Sequence, residues 1–161
     1  SGKKLNVDLY GVSSVQEEIG LRGGTTSCYT VNPDLGIWVE VDFATDQPDV
    51  EKKHNGEVAL GKGSVLARGA NINPHLFDLL CTAADDEKIA IQHTASPRAT
   101  GTDANVMQIS RGGVATALVK IPLRYMHTPI ETVSLTDLEE AAKLIVATLE
   151  RIRNKEEFIP A

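Results

Sequence analysis

Short apolar runs with a period of two recur along the chain and predict β-strands. In the first run, Leu5, Val7 and Leu9 alternate with polar residues. The last run, at residues 114–121, is nearly all apolar, which is typical of a strand covered on both faces, and Pro122 is expected to end it. The predicted strands are residues 5–10, 35–42, 64–68, 89–92 and 114–121.

Helical spacing of apolar residues alternates with these strands. Asn73 and Pro74 predict a helix start, with asparagine at the cap and proline in the first turn, and this helix is expected to end near Glu87. Ser134 and Asp137 form a capping-box-like start for a carboxy-terminal helix. The expected buried face of that helix consists of Leu138, Ala142, Ile145, Leu149 and Ile152.

The order of these elements predicts the fold class. A shorter helix is expected at residues 21–29, between the first two strands, so strands and helices alternate. A parallel return of the chain needs a crossover, which is usually a helix. The sequence therefore predicts a single α/β domain with a layered, largely parallel sheet, and its 161 residues suffice for one sizeable core.

Composition and charge argue against several classes of protein. The net charge of −6 disfavours nucleic acid as a partner, because nucleic-acid binding needs a basic face. No apolar stretch reaches the length of a membrane span. Cys28 and Cys81 are expected to be free thiols of a reducing compartment, so the expected location is the cytoplasm. Ser1 and Gly2 resemble a cloning scar, and the chain is expected to be a piece of a longer protein.

Metal-capable side chains follow three of the predicted strands. Glu17 and Glu18 come after the first strand, Asp42 ends the second, and His127 follows the last. The carboxyl edge of an open α/β sheet commonly binds ligands, and carboxylate and imidazole groups suit zinc, cobalt or manganese. The spacing does not show that these groups converge. A glutamate pair is common on solvated helices, and His127 alone is equally consistent with a hydrogen-bonded structural histidine.

A second candidate is the polar stretch at residues 94–103, after the fourth predicted strand. Its Gly, Pro, Ser and Thr content is typical of a functional loop. Asp103 closes this stretch just before Ala104. At this position an aspartate is consistent either with an ordinary helix cap or with a role in a site.

Four ordered motifs resemble those of the tetrahedral, glutamyl and deblocking aminopeptidases, which are cytoplasmic di-metal peptidases. They are VQEEIGLRG at residues 15–23, VDFATD at 41–46, GTDA at 101–104 and PLRYMHTPIE at 122–131. The likeness runs from about residue 5 to residue 152. It implies a three-layer α/β sandwich that forms the carboxy-terminal portion of a larger catalytic domain.

The resemblance also implies roles for individual residues. Glu17 would be the general base, Glu18 and His127 would bind one zinc or cobalt ion, and Asp42 would bind a second. Two such ions, about 3.5–4 Å apart, activate water and polarise a scissile carbonyl, and the base passes a proton to the leaving amine. The substrate would be a peptide and the full-length protein a large homo-oligomer. The loop residues implied to line the substrate pocket are Gly101, Thr102 and Asp103.

The chain departs from the family pattern in what it lacks. Such enzymes also need an upstream histidine, an aspartate that bridges both metals and an inserted β-domain, so this chain alone is expected to be inactive. Two other interpretations remain: a non-catalytic α/β association module and a glycoside hydrolase. A glycosidase needs two carboxyl groups facing each other across roughly 5–9.5 Å, whereas neighbours such as Glu17 and Glu18 point in different directions.

Overall fold

A five-stranded sheet with helices on both faces carries the candidate site. The computed structural model describes residues 4–159, without the side chains of residues 54 and 55, so Ser1 and Gly2 lie outside the described residues. None of the helices within residues 4–159 is long and apolar enough to cross a membrane. The elements are α1 (Arg22–Val31), β1 (Leu35–Phe43), α2 (Lys52–Asn55), β2 (Ser64–Gly69), α3 (Pro74–Glu87), β3 (Ile91–Ser96), α4 (Ala104–Met107), β4 (Ala115–Arg124), β5 (Thr132–Val133), α5 (Leu135–Leu149) and a 3₁₀ turn (Lys155–Phe158).

The strand order is β1–β4–β2–β3, and β5 pairs with the end of β4. The two long pairings, β1 with β4 and β2 with β3, are parallel, which confirms the predicted α/β, largely parallel sheet. An antiparallel seam joins β2 to β4, where Leu66 lies opposite Val119. This seam was not predicted. The connection from β1 to β2, residues 44–63, contains only the four-residue α2 in place of a long crossover helix.

Helices cover both faces of the sheet and make three layers. Leu66 of β2, Leu76 of α3 and Leu144 of α5 belong to one fully buried core. Gly36 of β1 faces the opposite side of the sheet, as the strand register shows. There it lies against Met107 of α4, and a Cβ atom at Gly36 would collide with the methionine sulfur. Any larger residue at this position would require the Met107 side chain to move.

The predicted starts of the two long helices are confirmed. Asn73 caps α3, because its Oδ1 accepts a hydrogen bond from the Leu76 N–H at 3.0 Å. The same side chain donates from Nδ2 to the carbonyl oxygen of Phe158 at 2.7 Å. Ser134 caps α5, with its Oγ accepting from the Asp137 N–H at 3.4 Å. Asn73 thus ties the start of α3 to the end of the chain.

We expect Asn73→Ala to lower the free energy of unfolding by about 1–2 kcal/mol, because the helix loses its cap and the contact with Phe158. Urea unfolding followed by circular dichroism measures the change. The control is His75→Ala, an exposed substitution in the first turn of α3, which should change stability by less than about 0.5 kcal/mol. Equal losses in the two variants would contradict the capping role.

The prediction of a strand at residues 5–10 is wrong. The segment has no strand geometry, and Leu9 and Tyr10 are 61% and 67% exposed, while Val7 packs partly against the core. Within the described residues no strand pairs with it. A strand needs a neighbour for its N–H and C=O groups, and alternation of apolar residues does not supply one. Glu17 and Glu18 consequently follow an irregular segment, not a strand end.

Two strand boundaries also differ from the prediction. Pro122 does not end β4, which continues to Arg124. It lies between the residues that pair with β2 and those that pair with β5, so its missing N–H falls outside both antiparallel pairings. β3 begins at Ile91 and continues to Ser96, so the first residues of the expected loop at 94–103 belong to a strand.

The buried face of α5 differs from the expected one. Of the five predicted residues, Ile152 is buried just beyond the helix and Ile145 and Leu149 pack partly buried against the core, but Leu138 is 42% exposed and Ala142 is exposed. The buried positions within α5 are Asp137, Ala141, Leu144, Ala147 and Thr148. The Asp137 carboxylate accepts hydrogen bonds from the N–H groups of Gly61 and Gly63, at 2.7 and 2.9 Å. A buried but hydrogen-bonded carboxylate looks polar in a sequence pattern, which moved the predicted face by one residue.

Candidate active site

Glu17 and Glu18 lie in a tight turn immediately before α1. The Gly20 N–H donates to the carbonyl oxygen of Glu17 at 3.1 Å, and Gly20 has a φ of 116°, which favours glycine. The Gly23 N–H donates to the carbonyl oxygen of Val15 at 2.9 Å, and a Cβ atom at Gly23 would collide with the Val15 backbone. These two glycines let the turn fold back on the helix start and fix the position of both glutamates.

His127 reaches the same turn from the far end of β4. Its backbone is left-handed, with a φ of 62°, and its N–H donates to Glu131 Oε1 at 2.6 Å. Its ring Nε2 lies 3.2 Å from Glu18 Oε1, and the ring also makes an edge contact with Phe43. Both Glu18 and His127 are mostly exposed. The structure therefore brings together two side chains that are 109 residues apart in sequence.

Asp42, the last but one residue of β1, lies on the same side of the molecule and forms an ion pair with a lysine. Lys120 Nζ lies 2.5 Å from Asp42 Oδ2 and donates to Thr94 Oγ1 at 3.1 Å. The Phe43 N–H donates to Asp42 Oδ1 at 3.1 Å. Asp42 Oδ1 thus accepts a backbone hydrogen bond, whereas Oδ2 is paired with the ammonium charge and makes no hydrogen bond of its own among the described residues.

One cavity of about 280 Å³ contains these groups. Glu17, Glu18, Asp42 and His127 all line it, together with Glu40 and Lys120. The last two residues were missed from the sequence. Each is a charged residue inside an apolar strand pattern, and this pattern is the signal in the sequence that could have identified them. In the structure the register of β1 and β4 places them opposite each other.

Burial raises the pKa of Glu17, and the carboxylates of Glu18 and Asp103 raise it further, while His127 opposes them. Burial also raises the pKa of Glu40, with Glu17 adding to the shift and a hydrogen bond from Trp38 Nε1 at 3.3 Å opposing it. A carboxylate with a raised pKa binds a proton more readily at neutral pH. Glu17 therefore has the electrostatic setting of a general base.

The GTDA stretch contributes differently from what its residues suggest. Gly101 and Thr102 line the cavity. Asp103 is fully buried, and its Oδ2 accepts a hydrogen bond from Ser14 Oγ at 2.6 Å. Its carboxylate also packs against Gly24 of α1, where a Cβ atom would collide with it. Asp103 thus joins the loop to the first turn of α1 and to the segment before Glu17.

Arg124 and Asp46 join the ends of β4 and β1 beside the cavity. The guanidinium donates from Nε to Asp46 Oδ1 at 2.9 Å and from a terminal nitrogen to Oδ2 at 2.5 Å. The Leu60 N–H adds a bond to Oδ2 at 3.1 Å. Hydrogen bonding from Arg124 lowers the pKa of Asp46, with burial opposing it. This pair fixes the strand end from which the His127 turn begins.

The pKa of Asp46 predicts an acid-dependent loss of stability. Because this pKa is lower in the folded chain than in the unfolded chain, the stabilisation is complete above about pH 4 and is lost as the pH falls through the folded value. The melting temperature of Asp46→Asn should lie below that of the wild type at neutral pH, and the difference should shrink as the pH falls below about 4. Differential scanning calorimetry measures it, with exposed Asp8→Asn as the control. A difference that does not change with pH would contradict this account.

Comparison with known proteins assigns the chain to a family. Residues 1–144 match the M42 glutamyl aminopeptidase family. The chain belongs to this family. It is 47% identical over 146 residues to lysyl aminopeptidase of Pyrococcus furiosus, across 91% of this chain and 41% of that protein.

Solved structures of two TET peptidases share the fold. The TET aminopeptidase of the marine sediment archaeon Thaumarchaeota archaeon SCGC AB-539-E09 superposes with a TM-score of 0.84 at 31% identity, over 91% of this chain and 42% of that one. The Pyrococcus horikoshii TET1 peptidase, which can assemble into a tetrahedron or a large octahedral shell, gives 0.66 at 28% identity, over 86% and 40%. This M42 family chain spans about two fifths of the length of these relatives.

The side chains of this M42 chain supply some, but not all, of the ligands that a divalent ion needs. Glu18 and His127 place an oxygen and a nitrogen 3.2 Å apart, close enough to bind one ion together. Among the described side chains, which do not include His54, no group of three or more His, Cys, Asp or Glu residues could hold a metal. A stable zinc site in proteins has three or four protein ligands. The described residues therefore supply part of a site.

Proposed function

We propose that the protein containing this chain is a metal-dependent aminopeptidase that releases amino-terminal residues from peptides. This chain would be the carboxy-terminal portion of its catalytic domain. The observation that carries the proposal is the 3.2 Å contact between His127 Nε2 and Glu18 Oε1, next to Glu17 and in one cavity with Asp42. Membership of the M42 family supports it, as does the coverage of only 41% of the lysyl aminopeptidase relative.

Glu17 is the proposed general base. Its half-buried carboxylate has a raised pKa and lines the cavity beside Glu18 and His127. From this position it would accept the proton of the attacking water and return it to the leaving amine, as a general base and acid must in peptide hydrolysis.

Glu18 and His127 are the proposed ligands of one divalent ion, and Asp42 is the proposed ligand of a second. Carboxylate and imidazole donors suit zinc or cobalt. When bound, such ions supply Lewis-acid chemistry that activates water and polarises the peptide carbonyl. Because the described side chains supply only part of each site, the 161-residue chain by itself is expected to bind metal weakly and to have no activity.

Gly101 and Thr102 are the proposed contacts of this chain with the peptide, because they line the cavity. Asp103 is part of the same motif but is fully buried. We assign it the positioning of its two neighbours through Ser14 and the start of α1. Thr100, which bonds to both Asn71 and Thr102 at 2.9 Å, holds the loop from the other side.

Assembly and location are further parts of the proposal. A homo-oligomer is supported by the likeness to TET peptidases, one of which forms a tetrahedron or an octahedral shell. A cytoplasmic location is supported by Cys28 and Cys81, both of which carry free thiols.

The full-length protein should hydrolyse aminoacyl anilides and leave a soluble cellulose intact. Chelator treatment should abolish the anilide activity, and added zinc or cobalt should restore it, because the proposed reaction needs the ions. Cellulose hydrolysis without anilide hydrolysis would favour a glycoside hydrolase instead. Activity towards neither substrate would contradict the proposal.

A non-catalytic association module is the second candidate, and one observation favours it. Within the described residues β1 pairs with β4 on one side only, and its Val39 and Phe43 are 50% and 58% exposed. Exposed apolar side chains on an edge strand are typical of a surface that another chain covers. A metal-free, inactive full-length protein that oligomerises through β1 would support this candidate.

A further inference from the structure

Lys120 is a buried cation in the wall of the candidate active site. It is only 8% exposed and lies in β4, directly opposite Glu40 in the parallel register with β1. Asp42, two residues after Glu40, is on the same face of the sheet. Lys120 therefore extends between the strand that carries Asp42 and the strand that carries Thr94, and both residues bind its ammonium group.

These contacts occupy the carboxylate that the proposed function assigns to a metal ion. Lys120 Nζ lies 2.5 Å from Asp42 Oδ2, and the Phe43 N–H donates to Oδ1 at 3.1 Å. The side chains of Lys120 and Asp42 are only 10% and 17% exposed, so solvent screens their attraction weakly. An ion that binds Asp42 must either displace the ammonium or tolerate a second positive charge beside it.

Glu40 is an alternative partner for the lysine within the same cavity. Glu40 is its neighbour across the β1–β4 pairing, lines the same cavity and has no cation of its own among the contacts of the described residues. When an ion binds Asp42, the ammonium can turn to Glu40. Glu40 would then lower the cost of releasing Asp42.

We propose that Lys120 is a positioning residue that competes with a divalent ion for Asp42, so that the ion on the Asp42 side is the weakly held, exchangeable one. The inference rests on the proposed function, because that function supplies the ion. It makes Lys120 a counter-ion of Asp42 that is part of the fold.

Zinc binding to the chelator-stripped full-length protein tests this, by competition with a chromophoric chelator and without any activity measurement. Lys120→Met removes the competing charge and should tighten the weaker zinc site by about 10–100-fold, the usual size of effects from groups behind the ligands. Lys120→Arg keeps the charge and should leave the site weak. Glu40→Gln removes the alternative partner and should weaken the site further. Lys143→Met, an exposed substitution on α5, is the control and should change nothing.

If the zinc affinity of the weaker site is the same in Lys120→Met as in the wild type, the inference is overturned. A lower affinity would also overturn it, because it would mean that Lys120 orients Asp42 for the ion. If Lys120→Met does not unfold cooperatively, Lys120→Gln gives the same comparison, because its amide can still bond Thr94. If the wild-type protein hydrolyses anilides and the Lys120 variants bind zinc with the affinity of the wild type, only this inference is refuted. A wild-type protein that binds no zinc would refute both this inference and the proposed function.

Discussion

Replacing Glu17 by glutamine in the full-length protein is expected to slow peptide hydrolysis by about 10²–10⁴-fold, the usual contribution of a positioned general base. The amide is nearly isosteric but cannot accept the proton of water. Glu17 does not touch His127 in the way Glu18 does, so the metal content should stay at the wild-type level. Turnover of aminoacyl anilides measures the loss.

Glu139→Gln is the matched control for this variant. Glu139 is exposed on α5 and does not line the cavity. Its replacement is the same Glu-to-Gln change at a distance from the site, so the turnover of this variant should equal that of the wild type. A Glu17→Gln protein with full turnover would mean that this carboxylate belongs to an ordinary solvated helix start.

Loss of Glu18 or His127 is the second large effect that we expect. Glu18→Gln replaces an anionic ligand by a neutral amide, and His127→Ala removes the nitrogen that lies 3.2 Å from it. Each change should release the ion that both residues hold, and activity should be lost with it. Metal analysis of the dialysed proteins measures the loss.

The double variant shows whether the two residues hold one ion. Because removal of either ligand releases the same ion, Glu18→Gln combined with His127→Ala should lose no more metal than each single variant does. Additive losses would mean that the two residues bind separate ions.

Local signals were enough to predict much of the fold. The start of α3 follows from Asn73 and Pro74, and β1 follows from alternation at residues 35–42, because caps and strand periodicity depend on neighbours in sequence. The strand predicted at residues 5–10 failed since a strand also depends on a partner, and no such partner lies within the described residues. The predicted face of α5 was right at Ile152 but wrong at Leu138, because Asp137 is buried in its place with its hydrogen bonds satisfied.

The candidate site was predicted only in part, and that part came from the resemblance to a family and not from local sequence signals. No periodicity relates Glu18 to His127, so their contact was implied only by the likeness of four motifs to a known family. Lys120 and Glu40 were missed since each is a single charged residue in an apolar strand, and only the β1–β4 register shows that they face each other. Likewise, the sequence of the GTDA stretch does not show that Asp103 is buried while Gly101 and Thr102 line the cavity.

The most direct test of the central claim is the metal content of Glu17→Gln and Glu18→Gln, measured beside turnover on the same preparations of full-length protein. Both variants should be slow, but only Glu18→Gln should lose metal, because Glu18 contacts His127 and is assigned as a ligand whereas Glu17 is assigned as the base. If Glu17→Gln loses metal and Glu18→Gln retains it, the assignment of base and ligand is contradicted. Full metal content and full turnover in both would contradict a catalytic role for either glutamate.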